Sequence, residues 1–135
     1  KAKEKDGGRG VLADVALALP ALTRAVKLQD KAAKVGFDLP SVTYVHDKVA
    51  EEIAEFHEAE HKDKAAEFGD ILFALSNVAR HMGIDPEEAV RLSNEKFVRR
   101  FAYIEAELAK RGKRPEDSDL DEMDGLWNEA KAKGL

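Results

Sequence analysis

Residues 45–82 read VHDKVAEEIAEFHEAEHKDKAAEFGDILFALSNVARHM, and two helices can be traced in them before the rest of the chain is considered. Val45, Val49, Ile53 and Phe56 recur at helical spacing, and after a polar break Phe68, Leu72, Leu75 and Ala79 do so again. Each stripe is expected to face a core. The same helices carry two acidic pairs, Glu52 with Glu55 and Glu67 with Asp70, each three residues apart. A helix turns by about 100° per residue, so both members of such a pair project to one side. If the helices run antiparallel, the pairs converge to about 4 Å, where like charges repel by roughly 4 kcal/mol per pair at an effective dielectric near 20. A cation between them would relieve this. On the wheel Glu52 sits about 60° from the centre of the stripe and is partly shielded, whereas Glu51 and Glu58 point nearly opposite it and read as solvated.

Working outward, every other long segment is also helical in period and none alternates with period two, which predicts an all-α helical bundle of four to five helices. A first helix is expected from Pro20 to Val35, stopped by Gly36, with an extra turn over Leu12 to Leu19 before it. Ser41 is the expected cap of the second helix, which should reach about His61. The third should run from Lys64 to Met82 and stop at Gly83. Asp85, Pro86 and Glu88 fit the cap, first and third positions of a capping box opening a fourth helix that ends at Lys110 or Arg111. Gly112 to Ser118 is a break, and a fifth helix over Asp119 to Lys133 carries Leu120, Met123, Trp127 and Ala130. A fourth helix of roughly 25 residues would be about 38 Å long, more than the width of a small domain. This overhang predicts a homodimer.

With 135 residues and 44% hydrophobic content the chain fits one domain, expected over residues 13–135. Residues 1–12 read as a linker remnant, because Lys1 to Gly10 is charged and glycine-rich, and an upstream domain in a longer protein is expected. A formal net charge of -5 argues against nucleic acid as a partner, since that binding needs a basic face. The chain has no cysteine, which excludes disulfides, thiolate zinc sites and cysteine nucleophiles. It has no apolar run long enough for a signal or a membrane span, so a cytoplasmic protein is expected.

An all-carboxylate set suits a hard ion, Mg²⁺ or in its place Mn²⁺, and such ions usually act through substrate phosphates. Lys96 and Arg100, one turn apart beside the stripe of Phe97, Phe101, Ile104 and Leu108, offer a pair able to clamp phosphate oxygens or to form a solvated basic edge. His57 to His61 spell HExxH, the zinc-protease helix motif, but both histidines lie well around the helix from the stripe and lack an obvious third ligand. That motif reads as a solvated helix end.

Glu51-Glu52-Ile53-Ala54-Glu55 followed by Glu67-Phe68-Gly69-Asp70 resembles the EExxE and ExxD signature of the all-α nucleoside triphosphate pyrophosphohydrolases. The run from Gly69 to Leu75, then Asn77, Ala79-Arg80-His81, Asn94-Glu95-Lys96-Phe97 and Arg99-Arg100-Phe101, is similar to the C-terminal domain of the MazG family. The resemblance covers about Leu19 to Ala130. It implies Mg²⁺-dependent cleavage of a nucleoside triphosphate to the monophosphate and pyrophosphate, as in nucleotide-pool house-cleaning. It further implies that Glu52, Glu55, Glu67 and Asp70 hold Mg²⁺, that Lys96 and Arg100 contact the triphosphate, and that Lys48, Glu51 and Trp127 lie near the site, Lys48 and Trp127 serving the substrate. In the mechanism expected here, Glu51 or Glu52 accepts the proton of the attacking water. Two positions depart from the pattern: Ala66 stands where the family often has a second acid, and Leu39 follows Gly36-Phe37-Asp38 where it often has tryptophan. The rival reading is a non-catalytic helical dimerisation module whose carboxylates are merely solvated.

Overall fold

A computed structural model describes residues 10–135, and among these there are five α-helices and no strand. They are α1 (Ala21–Lys34), α2 (Val42–Glu58), α3 (Lys64–His81), α4 (Pro86–Lys110) and α5 (Leu120–Ala132), with short 3₁₀ turns at His61–Asp63 and Pro115–Asp117. The all-α class is as expected, and the helix ends fall within a residue or two of the expected ones except at α2.

The described residues divide into two compact units, one ending at Glu87 and the other running from Glu88 to Leu135. In the first, α3 is the shared partner, packed against both α1 and α2. The residues that α3 buries are Ile71, Ala74, Ser76 and Ala79. Three of the four are small, which lets its neighbours approach closely. Gln29 ties α1 to α3 by donating from Nε2 to the Phe73 carbonyl at 2.9 Å. Gly36 and Gly83 end α1 and α3 at φ of 96° and 70°, the left-handed region that favours glycine.

On α2, Val45 and Glu52 are the buried residues. They lie seven apart, almost in line on a helix, with Val49 and Phe56 completing the row. Glu52 therefore occupies a core position rather than its flank, and Ile53, expected in the stripe, is turned out at 41% exposure. Likewise Phe68, Leu72 and Leu75 on α3 remain 40–49% exposed, not packed into a core within this unit. Ser41 stands at the N-cap of α2 without a side-chain capping bond. The helix ends at Glu58, short of His61, because Ala59 and Glu60 turn extended (ψ 150° and 154°). Lys64 then reaches back and donates to the carbonyls of Phe56 at 2.6 Å and His57 at 3.2 Å, placing a cation on the negative end of α2.

In the second unit α4 and α5 enclose a small core of Ile104, Leu108 and Leu126, flanked by Phe101, Tyr103, Met123 and Trp127. The Asp119 side chain caps α5 by accepting the Glu122 amide at 2.9 Å. Asp85 accepts the Glu87 amide at 3.0 Å at the start of α4, in keeping with the expected cap. From Glu88 to Arg99 every residue of α4 is exposed, including Leu92, Phe97 and Val98.

Candidate metal centre

The 3₁₀ turn at His61–Asp63 folds α3 back against α2, and this hairpin gathers the carboxylates. Oxygens of Glu52, Glu67 and Asp70 lie within 4.8 Å of one another, and so do those of Glu51, Glu52 and Glu55. Glu52 is common to both groups. It is also the buried one, 6% exposed, while Glu51, Glu55 and Asp70 are exposed and Glu67 is intermediate. The structure thus joins all four expected metal-holding acids to one buried carboxylate, with Glu55 grouped on the Glu51 side and Glu67 and Asp70 on the other.

The electrostatics fit this crowding. The charge of Glu52 is the main cause that raises the Glu55 pKa above the usual carboxylate value, with burial and Glu67 adding to it. Lys48, one turn before Glu52, places Nζ 2.8 Å from Glu52 Oε2 and 3.1 Å from Glu51 Oε1. Those bonds, Glu52 first, hold the Lys48 ammonium well above the ordinary lysine range. Lys48, expected at the substrate, is here engaged by the acids. Glu67 Oε1 is buried without a hydrogen-bond partner. A buried carboxylate oxygen left unpaired among other acids, in a set made only of oxygen donors, fits a hard divalent ion.

HExxH does not form a zinc helix. His57 lies in the last turn of α2 and His61 opens the next 3₁₀ turn, so the two rings are not one turn apart on a single helix. In the second unit, Lys96 is exposed and makes no ion pair among the described residues. Arg100 lies over Trp127, its guanidinium carbon 5.0 Å from the ring centre, and Nε donates to the Leu135 carbonyl at 2.9 Å. Trp127 also meets Phe97 at 5.6 Å and lines an open apolar groove of about 270 Å³ with Phe101, Ile104, Leu120 and Met123.

Fold and site together define an all-α protein that carries a carboxylate cluster on a helical hairpin. The sequence profile of the phosphoribosyl-ATP pyrophosphohydrolase family matches residues 19–96, and the chain belongs to that family, within the MazG-like all-α group that its motifs resemble. It is 44% identical over 126 residues to a nucleoside triphosphate pyrophosphohydrolase of Escherichia coli, covering 89% of this chain and 48% of the relative. It is 38% identical over 114 residues to a nucleoside triphosphate pyrophosphohydrolase/pyrophosphatase MazG of Thermotoga maritima, covering 84% and 45%. An uncharacterized protein of Bacillus subtilis, YabN, is 58% identical over 72 residues, 53% of this chain and 14% of that one. The chain spans about half the length of the first two.

Proposed function

We propose that the chain hydrolyses nucleoside triphosphates, ribo or deoxyribo, to the monophosphate and pyrophosphate. Mg²⁺ would be held by Glu52, Glu55, Glu67 and Asp70, with Mn²⁺ able to replace it. The observation that carries the reading is the buried Glu52 carboxylate shared by two acidic groups, beside a Glu67 oxygen with no partner. Family membership and the names of the two relatives support the reaction type. When bound, Mg²⁺ supplies charge neutralisation of the phosphate oxygens and acidifies water. The residues of the chain do the rest. Water adds to the α phosphorus, the bond to the α–β bridging oxygen breaks, and pyrophosphate leaves. Glu51, exposed and at the rim of the cluster, takes the proton of that water, since Glu52 is committed to the centre. Lys96 and Arg100 are assigned to the polyphosphate and Trp127 to the nucleoside by the resemblance.

The proposed setting is nucleotide-pool house-cleaning in the cytoplasm. No described helix is long and apolar enough to cross a membrane. The exposed apolar side chains of α3 and of residues 88–99 of α4 support a homodimer over the reading of a lone chain, and light scattering that returned the mass of one chain would refute it. The enzyme reading predicts Mg²⁺-dependent pyrophosphate release across a panel of canonical and damaged triphosphates. Glu52→Ala and Asp70→Ala should abolish it. Turnover by both variants at the parent rate would show the site assignment to be wrong, whereas no Mg²⁺-dependent turnover by the parent would leave the dimerisation-module reading.

A further inference from the structure

The acidic hairpin already contains a cation of its own. Among the described residues, Lys48 is the only ammonium or guanidinium group in ion-pair contact with any of Glu51, Glu52, Glu55, Glu67 and Asp70. It pairs with the one carboxylate that both acidic groups share, at 2.8 Å. Its own side chain is 47% exposed whereas that of Glu52 is 8% exposed, so the ammonium can swing into water while the carboxylate cannot follow it. A buried carboxylate surrounded by others is costly without a counter-charge, and here Lys48 supplies one.

We infer that Lys48 is the resident counter-cation of the metal-free centre and a positioning residue that competes with the divalent ion for Glu52. This rests on the metal reading above and assigns Lys48 a role other than direct binding of substrate. While Lys48 holds Oε2, that oxygen is unavailable to an ion; when an ion takes it, Lys48 is released toward solvent. The coupling is reciprocal, so whatever free energy the pair gives to the metal-free protein is withheld from ion binding. Removing the ammonium therefore has two opposite effects. The metal-free protein loses stability, and its affinity for the ion rises.

The test uses Mn²⁺ alone, without nucleotide, titrated calorimetrically into the parent chain, Lys48→Met, and Lys62→Met. Lys62 serves as the control because it carries the same charge on the connecting turn and, among the described residues, its ion-pair partner is Glu60, at 3.7 Å, outside the acidic cluster. Lys48→Met is expected to bind Mn²⁺ about three- to tenfold more tightly than the parent, on the scale of a coupling of about 1 kcal/mol, with a lower metal-free melting temperature. Lys62→Met is expected to match the parent. Equal or weaker binding by Lys48→Met overturns the inference, as does an equal gain in both variants, which would be a general charge effect. Absence of Mn²⁺ binding in the parent and in Lys48→Met overturns the metal reading itself, a result distinct from binding that is insensitive to Lys48.

A second measurement needs no variant. Amine-directed acylation of the parent, read by mass spectrometry, should label Lys48 faster when Mn²⁺ is added and leave Lys62 unchanged. No acceleration at Lys48 overturns the inference even if Lys48→Met does not fold.

Discussion

Arg100 and Trp127 are bound face to fork: the guanidinium carbon stands 5.0 Å from the ring centre while Nε is held by the Leu135 carbonyl. This uses the Nε donor and the flat face, and the two terminal nitrogens make no ion pair among the described residues. A planar fork oriented by a ring and a carbonyl is pre-organised for a phosphate. Trp127 is the only tryptophan of the chain, so its emission reports on this contact. Pyrophosphate or a triphosphate is expected to change that emission in the parent and not in Arg100→Met. The variant should also lose about 0.5–1 kcal/mol of stability from the cation–π contact. A full emission change in Arg100→Met would leave Arg100 a packing role alone.

At the carboxylate centre, stability and function are expected to oppose each other. Glu67→Gln removes one of the crowded charges while keeping the shape. Its metal-free form should unfold at higher denaturant than the parent, by up to about 1 kcal/mol. The same change should weaken Mg²⁺ binding about 10–100-fold. In the parent, Mg²⁺ at a hundred times its Kd should add about 2.7 kcal/mol by mass action, and most of this gain should be missing from the variant at equal Mg²⁺. Urea melts with and without Mg²⁺ read both effects. A variant less stable than the parent without metal would show that the acids are not in strain.

The loop after α1 is fastened to the end of α3 by Asp38, which accepts Arg80 Nη2 at 2.5 Å and lies 3.0 Å from His81 Nε2. Arg80 is itself held by Asn77 at 2.9 Å and Asp30 at 3.4 Å. The Arg80 bond is the largest cause holding the Asp38 carboxyl below its ordinary value of 3.8; burial opposes it and His81 adds to it. A lowered folded pKa means stability that is present above the unfolded value and lost as pH falls through the folded one. Asp38→Asn should therefore cost about 1–2 kcal/mol at neutral pH, a cost that fades below about pH 4. Chemical denaturation of both proteins at pH 7 and pH 3 checks it, and an unchanged difference at pH 3 would exclude the ion pair as its source.

How much of this is legible in sequence depends on the range of the interaction. Helix starts and stops are local, and Pro86 at the head of α4, Gly36 and Gly83 mark theirs. The end of α2 is not marked, because Ala59-Glu60 carries no glycine or proline and its extended backbone is set by α3 folding back. The four acids are found by spacing alone, but their division around Glu52 is not. The wheel centred on Val45, Val49, Ile53 and Phe56 puts Glu52 at the edge, whereas packing selects the row through Val45, Val49, Glu52 and Phe56. A glutamate in a core row is the signal that periodicity averages away. The bond between Asp38 and Arg80 spans 42 residues, and no local pattern encodes it.

At the turn that joins α4 to α5 one carboxylate gathers three donors. Glu122, at the third position of α5, accepts Ser118 Oγ at 2.5 Å, Arg111 Nη1 at 2.7 Å and Lys113 Nζ at 3.0 Å, while its amide is capped by Asp119. The Ser118 hydroxyl first, then the two cations, hold its pKa down to about 2 from an ordinary 4.5. Its contribution is full above about pH 4.5 and disappears as pH falls through about 2. Glu122→Gln keeps an acceptor for Ser118 but no charge for Arg111 and Lys113, so it should lower the melting temperature at pH 7. The gap between the two proteins should close on approach to pH 2, because the parent then carries the same neutral group. Trp127, on the same helix, gives a local fluorescence readout of this melt. A gap that persisted unchanged at pH 2 would mean that shape at Glu122, not its charge, stabilises this turn.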